Sequence, residues 1–212
     1  MKNIFTLIFL MIFLFQSCEK KNDDKRINET TKKTDSISVD TNEISNTKND
    51  SLELQKLIRD LYQWNETKNS KPDFAPLQKE KLDSIYISLD LDIHKERLQE
   101  LKETNFFAKE FTDNYNKIAL TIDKKMRDKS LVYYIGELPP FGNGANPWCN
   151  CQDHPDDYWR NLTIKKLNIK DNQADFVWTW GNDFEYKTKA IKENNIWKIS
   201  YLEGFDFNEF FK

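Results

Sequence analysis

Cys149, Cys151, Asp153 and His154 fall within six positions and carry most of the reactive chemistry of the chain. They lie in segment 136–155, which holds three of the five glycines, four of the six prolines and one of the two histidines. Phe141 and Trp148 precede the reactive residues, and Tyr158 and Trp159 follow. Proline stiffens such a loop, and long ordered loops are where function concentrates.

These residue types admit four chemistries. The first is metal binding, but structural zinc sites space their cysteines two to four residues apart and use two ligand pairs. Here one residue separates the cysteines and the other histidine is the distant His94, so no metal or other cofactor is expected. The second is a Cys149–Cys151 disulfide, because thiols pair in the oxidising compartment to which the leader directs the chain. So short a spacing closes a small, strained ring that is easier to reduce. The third is acid–base catalysis by Asp153 and His154, since imidazole titrates near neutral pH. Asp156, Asp157 and His94 are further titratable groups for that role. The competing account makes His154-Pro155-Asp156-Asp157 a solvated turn that caps a short helix at Tyr158-Trp159. The fourth is recognition: Trp148, Gln152, Asp153, Tyr158 and Trp159 place aromatics beside polar groups, as binding hot spots do. The same aromatics can instead fill a core.

Composition removes several other classes. There are 32 Lys+Arg against 35 Asp+Glu, a formal net charge of −3. A nucleic-acid binder normally shows a basic face, so no nucleic-acid partner is expected. Gly142-Asn143-Gly144 lacks the Lys-Ser/Thr pair of a phosphate loop.

The start of the chain is an address. Lys2 precedes an apolar run over residues 4–15, broken by Thr6 and followed by Gln16-Ser17-Cys18. Such a run is a secretory signal and is too short for an ordinary membrane span. Ser17 directly before Cys18 resembles a bacterial lipobox. That resemblance implies removal of residues 1–17 and a lipid on Cys18, whose acyl chains would hold the protein on a membrane at about 0.8 kcal/mol per buried CH₂. Residues 19–50 contain no aromatic residue, and seven basic and eight acidic residues alternate with Ser, Thr and Asn. So little apolar surface does not offset chain entropy, and residues 18–50 read as a disordered tether. Such a tether spans roughly 30 Å. The opening Cys18-Glu19-Lys20-Lys21-Asn22-Asp23-Asp24 resembles lipoproteins of the Bacteroidota, which implies the outer membrane, on its periplasmic face or at the cell surface.

Residues 51–212 hold all six tryptophans and all eight tyrosines, enough for a real core. Asp50-Ser51-Leu52-Glu53 has the spacing of a capping box, and Leu54, Leu57, Ile58, Leu61 and Trp64 recur on one helical face. Lys71-Pro72-Asp73-Phe74-Ala75-Pro76 ends that helix. A second helix is expected over 91–103 with Leu98 and Leu101 inward, and the charges over 79–102 read as a solvated helical surface. A third helix, capped by Asn105, aligns Phe107, Phe111, Tyr115, Ile118, Ile122 and Met126, and stops at Asp128-Lys129-Ser130. Period-two alternation then predicts strands over 173–180, 184–191 and 196–202. A fourth strand lies around Leu162 to Ile169, where the parity shift means a bulge at Lys165-Lys166 or a two-sided strand. Asp171-Asn172 and Asn194-Asn195 supply tight turns. The expected class is α+β, with N-terminal helices packed on a curved C-terminal antiparallel sheet.

Asn146-Pro147-Trp148, then Cys151-Gln152-Asp153, and a final strand Asn195-Ile196-Trp197-Lys198-Ile199 resemble a family of bacterial lipoproteins. The likeness covers about residues 51–205, and Pro147, Gln152-Asp153 and Trp197 are its most specific parts. It implies a cystatin-like, nuclear-transport-factor-2-like cone and an envelope location, but no particular activity. The resulting expectation is a lipid-anchored, non-enzymatic binding domain for a protein or small ligand, one version being an immunity or inhibitor protein. The alternative is a small hydrolase, isomerase or lyase that uses Asp153 and His154 in the cone.

Overall fold

A computed structural model describes residues 41–68, 71–181 and 183–212, with side chains from residue 48 onward. The signal peptide, Cys18 and the tether up to residue 40 lie outside the described residues. Helix α1 spans Thr41–Lys68 and buries Leu54, Ile58, Leu61 and Tyr62, spaced at helical intervals along one face. It begins nine residues before the expected Asp50 cap, so residues 41–50 are helical rather than tether. Adding turns to a packed helix is far easier than nucleating one. Asp50, inside the helix, does not cap it. Its carboxylate instead accepts from the Lys192 ammonium and, at 2.9 Å, from the Trp197 indole N–H.

After α1 the chain forms three two-residue strands, β1 (Pro76–Leu77), β2 (Ile85–Tyr86) and β3 (Ser88–Leu89). Strand β1 pairs with β3, and β2 pairs with β4 (Tyr133–Tyr134). Helix α2 runs Leu91–Glu103, as expected, and Asp90 caps it by accepting from the Asp92 and Ile93 N–H groups. Its inward face carries His94, Arg97 and Leu101, and Leu98 is partly buried. The expected solvated helical surface over 79–102 is thus corrected twice. Residues 79–89 are not helical, and Arg97 is 0% exposed.

Helix α3 spans Lys109–Arg127 and buries Phe111, Tyr115, Ile118, Ile122 and Met126. Asn105 is not its cap. The preceding residues instead join the sheet edge: Ala108 donates to the Ile199 carbonyl at 2.9 Å, and Ile199 donates to that of Phe106 at 2.7 Å.

The large sheet is the antiparallel meander β5 (Thr163–Lys170), β6 (Gln173–Thr179), β7 (Tyr186–Glu193) and β8 (Ile196–Leu202), in that order. Strand β7 starts two residues later than expected. The bulge alternative in β5 holds: register shifts between Lys165 and Asn168, and Lys166 has φ 52°. Asp171, Asn194 and Asn195 occupy the left-handed region, as tight turns require. Alternate residues Ala174, Phe176 and Trp178, Tyr186 and Ala190, and Trp197 and Ile199 join the helical stripes in one core. A short helix α4 (Phe207–Phe210) closes the described chain. Helices beside an antiparallel sheet make the fold α+β.

Candidate functional site

The segment between α3 and β5 is ordered by side chains that reach it from other elements. Tyr62 on α1 donates its hydroxyl to the Trp148 carbonyl at 2.5 Å. Tyr186 on β7 donates to the Pro147 carbonyl at 2.7 Å and accepts from the Gly204 N–H at 2.8 Å. Burial pushes both phenols well above their ordinary pKa, so both remain donors. Glycine at 204 permits this close approach, because a Cβ there would lie 2.0 Å from the Pro147 oxygen and force the backbone to shift. Cys149 and Cys151 are joined by a disulfide, as expected. The same turn is closed by Asn146 N–H donating to the Cys151 carbonyl at 2.8 Å and Trp148 N–H donating to Asn146 Oδ1 at 3.0 Å.

Behind this turn stands Asp73. Its Oδ1 accepts from Arg97 Nε at 2.9 Å and from the Tyr115 hydroxyl at 2.7 Å. Its Oδ2 accepts from the Trp148 indole N–H at 2.6 Å. The Arg97 guanidinium lies 5.1 Å from the Trp64 ring centroid and 5.5 Å from that of Trp148. It also reaches Glu100 Oε2 and Asn65 Oδ1, each at 3.4 Å. Burial opposes the charge on Arg97, but the Asp73 carboxylate outweighs it and holds the pKa above its ordinary value. Burial, then the adjacent Asp73, raises the Tyr115 phenol well above its usual range and keeps it a donor. Phe74 follows with φ 50°, a costly backbone for a bulky residue. Its ring packs on Tyr115 and Phe210, with centroids 4.9 and 5.5 Å away, and that packing fixes the turn.

Asp73 and the 138–147 strap line a cavity of about 450 Å³, within the size range of small-molecule sites. Phe74, Tyr133, Phe141 and Phe210 supply aromatic wall, and Pro76, Pro139, Pro147 and Leu138 supply aliphatic wall. The polar lining side chains are Asp73, Asn146 and Gln152, besides the Tyr133 hydroxyl. Burial, with Tyr86 beside it, raises the Tyr133 phenol, so that group is neutral.

The residues expected to form one site separate into two places. Gln152 lines the cavity, and Trp148, only 2% exposed, stands behind it as the donor to Asp73. Trp148 therefore belongs to the core and not to an exposed recognition surface. Tyr158 is also buried, Trp159 is half-buried, and Asp153 is exposed; none of the three lines the cavity. Asp153 and His154 do not form a side-chain pair. Asp153 Oδ1 accepts from the His154 backbone N–H at 2.9 Å, while the imidazole Nε2 lies 3.8 Å from Glu66 Oε2. Tyr158 donates to Glu66 Oε1 at 3.0 Å, and its ring lies 4.6 Å from that of His154. The expected short helix is a 3-10 turn over Tyr158–Asn161. Asp157 gives it no side-chain cap, because its left-handed backbone (φ 52°) leaves the carboxylate paired with Arg160 at 3.2 Å. His94 is buried, with Nε2 2.9 Å from Asn116 Oδ1 and its ring stacked on Tyr115. Among the described residues no group of three or more His, Cys, Asp or Glu side chains is placed to hold a metal ion.

Sequence reasoning missed Asp73, Arg97, Tyr133 and Glu66. The signal for Asp73 was its position between two prolines, read only as a helix stop. For Arg97 it was the spacing of three from His94 on the inward face of α2. No family model, curated protein or solved structure matches the chain.

Proposed function

We propose that the chain is a lipid-anchored cell-envelope domain, of the cystatin-like or nuclear-transport-factor-2-like type, that binds a small, mostly apolar ligand in the cavity beneath the 138–147 strap. The observation that carries this reading is the cavity itself: about 450 Å³, walled by aromatic and proline side chains, with a few convergent polar groups. The envelope address rests on the apolar run over residues 4–15 and on Cys18 after Ser17. The outer membrane is the proposed location, with the lipid as the membrane partner.

The catalytic alternative has one observation in its favour, the Glu66–His154–Tyr158 cluster. It places a carboxylate 3.8 Å from an imidazole, with a phenol on the same carboxylate. Neither His154 nor Asp153 lines the cavity, however, and the binding reading is therefore preferred.

Native mass spectrometry of the full protein, released from its own envelope in mild detergent, tests the proposal. The expected result is an added mass on the order of a few hundred daltons. That mass should be lost in Leu138→Trp, which places an indole at the cavity mouth from a residue that is 65% exposed. A bare wild-type mass, or an added mass that Leu138→Trp retains, would count against the cavity as the binding site.

A further inference from the structure

Asp73 is the one ionised side chain in the cavity lining, and its counter-ion does not face the same space. Arg97 is 0% exposed, is absent from the lining, and lies behind the carboxylate between two tryptophan rings. It is also shared, since Glu100 takes a second hydrogen bond from the same guanidinium. Arg97 thus pairs with two carboxylates, Glu100 also lying within the field of Lys71, and of the two only Asp73 lines the cavity.

An ionised carboxylate offers about four acceptor positions. Arg97 and Tyr115 take the two on Oδ1, and Trp148 takes one on Oδ2. One acceptor position on Oδ2 remains. The walls beside it include the rings of Phe74, Tyr133 and Phe141, whose faces attract a cation. An anion entering the cavity would meet a carboxylate without an exposed cation, and it would lose its hydration with little in return.

We infer that the cavity selects organic amines, an apolar body carrying one protonated nitrogen that donates to Asp73, over carboxylates of the same shape. The inference rests on the small-ligand reading of the cavity and adds the charge of the ligand to it. Asn146 and Gln152 add neutral amide contacts that either charge type can use, so the discrimination belongs to Asp73.

Three probes share a phenyl body and differ in charge: 2-phenylethylammonium, 2-phenylethanol and phenylacetate. Their binding to the full chain is measured by calorimetric titration at low ionic strength, where charge effects are least screened. The expected result is that the ammonium binds at least about tenfold more tightly than phenylacetate. Asp73→Asn should shrink that ratio to about twofold or less, since a neutral amide attracts no cation. Because Asp73→Asn can fail to fold around the buried Arg97, Leu138→Trp serves as the second variant and should weaken every probe. If phenylacetate binds as well as the ammonium and Leu138→Trp blocks both, the charge inference is overturned while the cavity reading stands. If no probe binds, or if binding ignores Leu138→Trp, the cavity reading falls and the inference falls with it.

Discussion

In the β5–β8 sheet, backbone pairing repeats over six positions at each interface, whereas the strap and the disulfide turn that follows it, together residues 138–152, meet backbone only in local turns. Its hydrogen bonds to the rest of the fold come from single side chains, Tyr62, Tyr186 and the carboxylate of Asp73, beside the packing of Phe141 and Trp148 into the core. A ladder is redundant, so losing one residue leaves its neighbours paired. Single ties are not redundant, so the sensitivity of the strap to mutation concentrates in few positions. A segment held at points also leaves room beside it, and the cavity lined by Asp73 and residues 138–147 occupies that room.

The largest break in this contrast should come from Asp73→Ala. It leaves Arg97 buried without its main partner and frees the Trp148 indole N–H. Removing one partner of a buried pair costs about 3–5 kcal/mol. Denaturant unfolding should show that loss, and hydrogen exchange should show faster opening of residues 145–152 relative to the paired amides of β6 and β7. A cost within about 1 kcal/mol of wild type, the size of an ordinary surface change, would refute the claim that the strap depends on this node. Gly204→Ala should follow. Its Cβ would meet the Pro147 oxygen at 2.0 Å, so the strap must move, at about 1–3 kcal/mol for overpacking. Tyr186→Phe removes the hydroxyl that bridges the same Pro147 carbonyl and the Gly204 N–H, at about 1–3 kcal/mol. Both changes spend the same contact, so the double variant should cost less than the sum of the two. Strict additivity would mean that the two sites do not share the strap.

The same contrast explains what was legible in the sequence. Strand alternation at Ala174, Phe176 and Trp178 and the helical stripe from Phe111 to Met126 are periodic signals that local geometry imposes, so they could be read directly. The bulge at Lys166 also left a trace, because it shifted the parity of Leu162 and Ile164 against Leu167 and Ile169. The site had no period. Asp73, Arg97 and Trp148 come from three distant stretches, and their meeting depends on how α2, the strap and the turn after α1 pack. Trp148 and Tyr158 were visible as residues, but whether they faced solvent or core depended on Asp73 and Glu66, which no local pattern marked as their acceptors. Two-residue strands such as β1 and β2 are too short to alternate at all.

Asp50 sharpens the comparison from the sheet side, because its carboxylate is the close tie of the first turns of α1 to the β7–β8 hairpin, with Glu53 Oε2 standing 3.9 Å from the same Lys192 ammonium. Burial raises its pKa, but hydrogen bonds from Lys192 and Trp197 and the charge of Lys192 outweigh that and hold it below the ordinary carboxylate value. A depressed folded pKa means that the contribution is fully present above the unfolded pKa, near 3.8, and is lost as pH falls through the lower folded value. Asp50→Asn should therefore cost about 1–2 kcal/mol at neutral pH, the scale of a hydrogen bond to a charged group, and progressively less below pH about 4. Hydrogen exchange should show residues 41–50 opening faster while the strap is unchanged, because Asp50 and Asp73 share no partner. The test is a pair of melting curves across that acid range. If the gap between wild type and variant stays constant as pH falls, the stabilisation comes from packing around Trp197 and not from the charge on Asp50. The start of α1 would then be held by packed surface and not by one charge, and the contrast between ladder and single tie would be confined to the strap.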